Sequence, residues 1–152
     1  MEIIEKRFND LDVEELYELL KLREEVFVIE QKCSCVDLDG FDLMANHIFI
    51  KKDSKIISYA RLFDKNTRYK YASIGRMCTS REYRKKGLGK ILMEESIKSL
   101  KLRANDKVII SSQSHAEGFY NKLGFKRTDK EPYMEENIPH VEMILKLEKM
   151  LK

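Results

Sequence analysis

The sequence predicts an α/β (α+β) domain in which a central sheet of six or seven strands is flanked by helices. Three observations carry that prediction. Seven short β-leaning stretches interleave with three helical patterns along the chain. One of those stretches, Ile74 to Thr79, runs through a basic turn with two glycines straight into a long helical pattern. The chain has 152 residues, 43% of them hydrophobic and 36% charged, which suits one well-solvated domain with a real core.

In chain order, Ile3 to Phe8 alternates loosely and reads as a first strand. Asp12 then has the look of a helix cap, with Glu15 three residues on as in a capping box. The helix is expected from Val13 to Ile29, with Leu16, Leu19, Leu20, Val26 and Phe27 as its apolar stripe. Arg23 falls on that stripe and Glu30 lies seven residues on, on nearly the same face. A charge there must pair, snorkel or line a cleft. Glu30 to Asn46 looks irregular. Its Asp37, Asp39 and Asp42 fail the calcium-loop spacing, because Asp42 and Ile48 stand where glycine and glutamate are required. They read instead as turn chemistry and an anionic rim for a cationic substrate.

Strands follow at His47 to Lys51 and Lys55 to Phe63 around an Asp53-Ser54 turn, then at Tyr71 to Thr79. The helix from Leu88 to Arg103 carries apolar residues on more than one face and should be well buried. Val108-Ile109-Ile110 reads as an interior strand. A polar crossing, Ser111 to His115, leads to a short helix, Ala116 to Leu123, with Gly124 as its stop. Phe125 to Thr128 and Val141 to Leu147 complete the sheet, with Val141, Met143, Leu145 and Leu147 on one face and His140, Glu142 and Ile144 on the other.

Composition excludes several classes. A net charge of +3, from 29 basic and 26 acidic residues, is too balanced to argue for a nucleic-acid partner. No apolar run approaches the ~18–20 residues of a membrane span, and the N-terminus lacks the apolar core of a secretory signal. Three cysteines argue against a disulfide framework and for a reducing cytoplasm. Cys33 and Cys35 have no further metal ligand at a suitable spacing, so no metal is expected. No linker or internal repeat appears, so residues 1–152 read as a single domain.

The basic turn favours an anion. A helix start leaves N–H groups without partners and is the positive end of the helix dipole. Gly87 and Gly89 let the backbone turn those groups inward. Arg84, Lys85, Lys86 and Lys90 add charge beside them, and Leu88 starts the helix. The spacing departs from a nucleotide P-loop, where Ile91 would have to be Ser or Thr. It departs from a dinucleotide turn, where Leu92 would have to be glycine.

Arg84-Lys85-Lys86-Gly87-Leu88-Gly89 resembles the Arg-x-x-Gly-x-Gly pyrophosphate loop of the GNAT acyltransferases. Ala116-Glu117-Gly118-Phe119-Tyr120-Asn121-Lys122-Leu123-Gly124-Phe125 is similar to their Ala-x-x-Phe-Tyr-x-x-x-Gly-Phe signature, in the right order and with one strand between. Arg23 to Gln31, Asp37 to Asp42 and Ile138-Pro139-His140 resemble the ElaA-type subgroup. The resemblance implies a mixed, mostly antiparallel sheet splayed near its central strand. It implies acetyl transfer from acetyl-CoA to an amine of a small molecule or peptide by direct attack, in a monomer or homodimer. Where many GNAT domains carry a coenzyme-binding asparagine, this chain has Gln113-Ser114-His115.

On that reading Met77, Cys78, Thr79, residues 84 to 90, Phe119 and Tyr120 hold the coenzyme. The backbone of Cys78 is the expected donor to the thioester carbonyl, its thiol being core rather than nucleophile. Tyr120 is the general acid, the alternative being a tyrosine packed on the sheet. The acceptor amine needs a base, for which Glu30, His115, His140 and Glu142 are candidates. Arg23, Gln31, Arg76, Gln113, His140 and Glu142 are expected around the acceptor, although Arg61 and Arg76 could equally pair with Asp37 or Asp39. Two rivals stand beside this reading: an acyl-CoA-binding sensor without catalysis, and a phosphate or nucleic-acid module using the basic turn.

Overall fold

Strand β4 (Ala72–Thr79) sits at the middle of one eight-stranded sheet in the computed structural model, which describes residues 1–147. Before it come β1 (Glu2–Arg7), β2 (Asn46–Lys52) and β3 (Lys55–Phe63). After it come β5 (Lys107–Gln113), β6 (Lys126–Arg127), β7 (Tyr133–Glu135) and β8 (Ile138–Lys146). The order across the sheet is β1-β2-β3-β4-β5-β8-β6, with β7 paired to β8 alone. Among the described residues only the β4–β5 pairing is parallel. The count exceeds the expected six or seven because β7 is three residues long, too short to show a period. Residues 148–152 of the expected domain lie outside those described.

Helix α1 (Val13–Arg23) covers one face, packing Leu19, Leu22 and the following Val26 on Phe49, Ile56, Tyr59 and Cys78. Its start is fixed as the sequence required: the Glu15 amide donates to the Asp12 carboxylate at 2.7 Å, and Glu15 returns the contact to the Asp12 amide at 3.0 Å. The other face is covered by α2 (Leu88–Leu102) and α3 (Glu117–Lys122). Leu92, Met93 and Leu100 are fully buried there, each contributing roughly 1.5–3 kcal/mol by the area removed from water. No helix among the described residues is long and apolar enough to cross a membrane.

The expected helix from Val13 to Ile29 stops being α-helical at Arg23. Residues Glu24–Glu30 form a π-helical segment instead. Val26, Val28 and Ile29 are β-branched and crowd an α-helical turn, and the wider winding rotates the face, leaving Ile29 63% exposed. Its end also carries Glu30 to a new position. Beyond it the chain runs extended. Cys33, Cys35, Asp37 and Asp39 face inward and are half-buried, while Ser34, Val36 and Leu38 face out. Against the expectation from the odd cysteine count, Cys33 and Cys35 are joined as a disulfide, because alternation puts both sulfurs on one side of this strap. Cys78 is free and buried.

Two departures from ladder geometry shape the centre. Strands β4 and β5 pair only at Ala72↔Val108 and Ser73↔Ile109. Past those pairs β4 follows β3 to Thr79, while β5 follows β8 to Gln113↔His140, so the sheet parts between them. The second is a bulge. Tyr59 lies opposite Cys78 and Arg61 opposite Gly75, so Ala60 faces both Arg76 and Met77, with Arg76 at a φ of 50°.

Candidate active site at the parted strands

The basic turn stands where β4 ends. Lys85 and Gly87 take left-handed φ values of 63° and 77°, a conformation that costs a lysine roughly 1 kcal/mol or more. The first helical bond is donated by Ile91 to the Gly87 carbonyl at 3.2 Å, and no side chain caps the helix. The amides from Lys85 to Lys90 therefore find no protein acceptor among the described residues. They form a ring of donors at the positive end of a fifteen-residue helix. Gly89 lets Met77 and Phe119 come close: a Cβ there would lie 3.2 Å from Met77 Cε and 3.8 Å from Phe119 Cζ, so the methionine would have to shift by a few tenths of an ångström. A cavity of about 100 Å³ opens beside it, lined by Lys90, Phe119, Lys122 and Leu123. The larger cavity, about 360 Å³, lies at the far end of α2 against Glu5, Lys98 and Arg103, away from every candidate residue.

Arg84 does not point its guanidinium at this ring. It donates to Glu30 twice, at 2.7 and 2.8 Å, and to the Thr79 carbonyl at 3.0 Å. Arg84 thus buckles the end of the π-helical segment to the end of β4. The hydrogen bonds from Arg84 hold the Glu30 carboxyl below its ordinary pKa, against the opposing effect of burial. A carboxylate held this way is a poor base, which weakens the expectation for Glu30.

The backbone of Cys78 corrects a second expectation. The Ser80 amide donates to Ile57 across β3, and Tyr59 lies opposite Cys78. Strand alternation then turns the Cys78 amide toward β3, where the ladder uses it. Its neighbour Thr79 faces the gap, and its carbonyl takes the Arg84 bond. Burial pushes the Cys78 thiol far up, so it stays protonated.

Tyr120 lies on α3 with its hydroxyl 3.8 Å from Met77 Sδ, edge-on to Phe119 and Phe125. Burial pushes its pKa up to about 12. The phenol therefore keeps its proton beside the end of β4.

Arg23, Arg61 and Arg76 are all engaged by the strap. Arg23 is fully buried and binds Asp37 at 2.8 Å and Asp42 at 2.7 Å. It has no face left for an acceptor, so pairing is its role. Arg61 binds Asp39 at 2.8 Å and Asp42 at 3.1 Å. Arg76, lifted by the bulge, binds Asp37 at 2.8 Å and Asp39 at 3.4 Å. The three aspartates are thus neutralised and form no anionic rim. Burial opposes the ionisation of Asp39 and Asp42, yet the arginines hold both below the usual carboxylate range.

Beneath this network His47 is buried, with Nε2 2.9 Å from the Asp42 carbonyl and Nδ1 2.6 Å from the Tyr59 hydroxyl. A carbonyl only accepts, so Nε2 carries the proton and Nδ1 accepts from Tyr59. Burial, first, and the charges of Arg23 and Arg61 hold its pKa below the ordinary 6.5. A base with a lowered folded pKa stabilises the fold fully above its unfolded pKa and loses that contribution as pH falls through the window beneath. Urea midpoints should therefore drop as pH is lowered from about 6.5, and His47→Gln should flatten the curve in that window.

The other side of the gap is the α1-side face of β5, β7 and β8, which no helix among the described residues covers. His140 is buried; its Nδ1–H donates to the Ile138 carbonyl at 2.7 Å, and its Nε2 lies 3.6 Å from Glu135. Its ring stacks on Tyr133. The Tyr133 hydroxyl contacts Ser111, which also donates to Glu135 at 3.0 Å. Glu142 accepts from Thr128 at 2.9 Å. Gln113, opposite His140 in the β5–β8 ladder, is half-buried and takes the exposed His115 ring at 2.6 Å. Gln31 closes the π-helical segment. Sequence reasoning reached His140 and Glu142 here but missed Ser111, Tyr133 and Glu135. The alternation of Tyr133 and Glu135 was the one signal for them.

The chain is similar to known proteins along nearly its whole length. A family model described as an acetyltransferase (GNAT) domain matches residues 41–147. A UPF0039 protein of Schizosaccharomyces pombe is 37% identical over 97% of this chain and 98% of its own. Protein ElaA of Escherichia coli is 36% identical over 89% and 90%. Its crystal structure superposes with a TM-score of 0.87, covering 94% of this chain and 97% of that one. An acyl-CoA N-acyltransferase from Pseudomonas aeruginosa superposes with a TM-score of 0.89 at 37% identity, covering 94% and 97%.

Proposed function

The chain belongs to the GNAT acetyltransferase family, with ElaA among its relatives, and on that premise we propose that it moves an acetyl group from acetyl-CoA to the amine of a cationic small molecule or peptide. The observation that carries this reading is the ring of unpartnered amides from Lys85 to Lys90, standing where β4 and β5 part. The amides and Lys85, Lys86 and Lys90 fit a diphosphate. Met77, Gly89, Phe119 and Tyr120 fit the carrier's arm beyond it.

Attack is direct. The acceptor nitrogen adds to the thioester carbon, the carbonyl oxygen gains charge, and the carbon–sulfur bond then breaks to free the thiolate. The donor to that oxygen falls to the amides beside Cys78, those of Met77 or Thr79. Tyr120 faces the departing sulfur. A free thiol has a pKa of ~8.5, about 3.5 units below that of Tyr120, so full proton transfer would be uphill by ~5 kcal/mol. Tyr120 acts first as a hydrogen-bond donor to the thiolate. Loss of such a bond costs ~1.5–3 kcal/mol. Tyr120→Phe should therefore lower kcat about tenfold to a hundredfold with KM for acetyl-CoA little changed, measured by thiol release.

His140 is the base on this reading. Its Nδ1–H is fixed on Ile138, which leaves the Nε2 lone pair for a proton, and Glu135 stands ready to stabilise the imidazolium. Glu135 and Glu142, unlike the strap's aspartates, have no arginine partner among the described residues, and they favour a positively charged acceptor. Calorimetry with acetyl-CoA, followed by a thiol-release screen over diamines and basic peptides, tests the proposal. Binding without turnover on any amine would leave the sensor reading in its place.

A further inference from the structure

Cys33 and Cys35 belong to neither the coenzyme ring nor the acceptor face. The strap presents both inward, and the chain's long-range folding brings a carboxylate to them. Glu136 stands at the tip of the β7–β8 hairpin, where it and Asn137 take φ values of 49° and 60°. Its Oε2 lies 3.6 Å from Cys33 Sγ, across 103 residues of chain. The two sulfurs and the carboxylate oxygen lie within 4.8 Å of one another. Glu135, not Glu136, faces His140, and among the described residues no cation pairs with Glu136.

A carboxylate against a disulfide sulfur has no proton to accept, while in the reduced chain it can accept one from a neutral thiol but would be repelled by two thiolates. A cation held between them would replace the thiol protons and remove that repulsion. Zinc–sulfur and zinc–oxygen bonds of ~2.3 and ~2.0 Å at the tetrahedral angle put the two ligand atoms ~3.5 Å apart, close to the 3.6 Å observed. We propose that the reduced chain binds a thiophilic divalent cation, of which zinc is the type, through Cys33 Sγ, Cys35 Sγ and the Glu136 carboxylate. A fourth position stays open to water or to a donor atom of a bound molecule. Sequence spacing could not reveal this site, because its third ligand comes from the far end of the chain.

The disulfide must open first. Two equivalents of a small thiol supply two electrons and two protons to the sulfurs and leave as one small disulfide. The cation then displaces both thiol protons to solvent, so affinity rises with pH. Once bound, it ties the strap to the hairpin, the two walls on either side of the acceptor face.

The test titrates the full chain, reduced with a phosphine and kept without oxygen, with Cd²⁺ and then Zn²⁺. Cadmium should bind one per chain with a thiolate-to-metal ultraviolet band that Cys33→Ser and Cys35→Ser remove, and the oxidised chain should show none. Zinc affinity, from competition with a chromophoric chelator, should fall about tenfold or more in Glu136→Gln, whose exposed position leaves the circular dichroism unchanged. No band in the reduced native chain would overturn the proposal. So would one cation per two chains, or a Glu136→Gln variant as tight as the native protein.

Discussion

Replacing Gly87 with glutamate should remove measurable affinity for coenzyme A and leave the fold standing. The position has a φ of 77° and open space where a Cβ would go, with nothing within 4 Å of it. Its backbone still has to hold a left-handed turn, at a cost of ~1–2 kcal/mol. For a chain of this size that lowers Tm by a few degrees, at roughly 2–4 °C per kcal/mol. The effect on binding is larger. A carboxylate at the mouth of the amide ring sits within ~5 Å of any anion held there. At an effective dielectric of ~20, each phosphate charge at that distance is repelled by ~3 kcal/mol, more than a hundredfold in affinity. Gly87→Asn separates the two terms, because asparagine tolerates the left-handed turn and carries no charge. It should keep coenzyme affinity within a few-fold. Calorimetry on both variants decides the matter: native affinity in Gly87→Glu would show that the ring does not hold the diphosphate.

Why this ring was legible in the sequence, and the acceptor side was not, has a physical basis. The coenzyme loop is local. Two glycines, a cluster of basic residues and a helix start lie within seven positions, and each constrains the backbone where it stands. The strands beside it were legible for the same reason: Lys55–Phe63 came out with the bounds expected after the Asp53-Ser54 turn. The acceptor side is assembled from pieces far apart in the chain. Arg23 looked like either a paired core charge or a cleft residue, and only Asp37 and Asp42, brought from the strap, settle it as paired. Arg84 looked like a phosphate ligand because the loop motif contains it, yet Glu30 lies 54 residues away and claims it. Cys78 lay at the end of the right strand with its backbone turned to β3 rather than to the gap, since alternation within a strand does not say which side is paired. The π-helical winding of Glu24–Glu30 also escaped periodicity, because an apolar stripe survives a widened turn with only a change of phase.

The buried charges make the second large effect. Asp42→Ala should destabilise the chain by ~3–5 kcal/mol, since it removes one partner from a buried ion network and leaves the cations in place. Asp42 accepts from Arg23 at 2.7 Å and from Arg61 at 3.1 Å, and both arginines are almost wholly buried. Each would keep one aspartate, Asp37 or Asp39, but three arginines would then share two carboxylates. At roughly 2–4 °C per kcal/mol, Tm should fall by about 10 °C. Asp42→Asn keeps an acceptor oxygen and the shape, so it should lose about half as much. The pH dependence follows from the same geometry. Asp42 is held below its ordinary 3.8, so its contribution is complete above that value and lost as pH falls beneath it. Urea midpoints for native and Asp42→Ala chains should therefore converge in acid and separate above about pH 5. The consequence for the site is direct, because Arg23 is what fixes Asp37, and Asp37 fixes Arg76 at the bulge between β3 and β4. If Asp42→Ala unfolds at the native urea concentration at neutral pH, the network is not what holds the strap across the gap, and the packing of Leu22 and Val26 beneath it must carry that role alone.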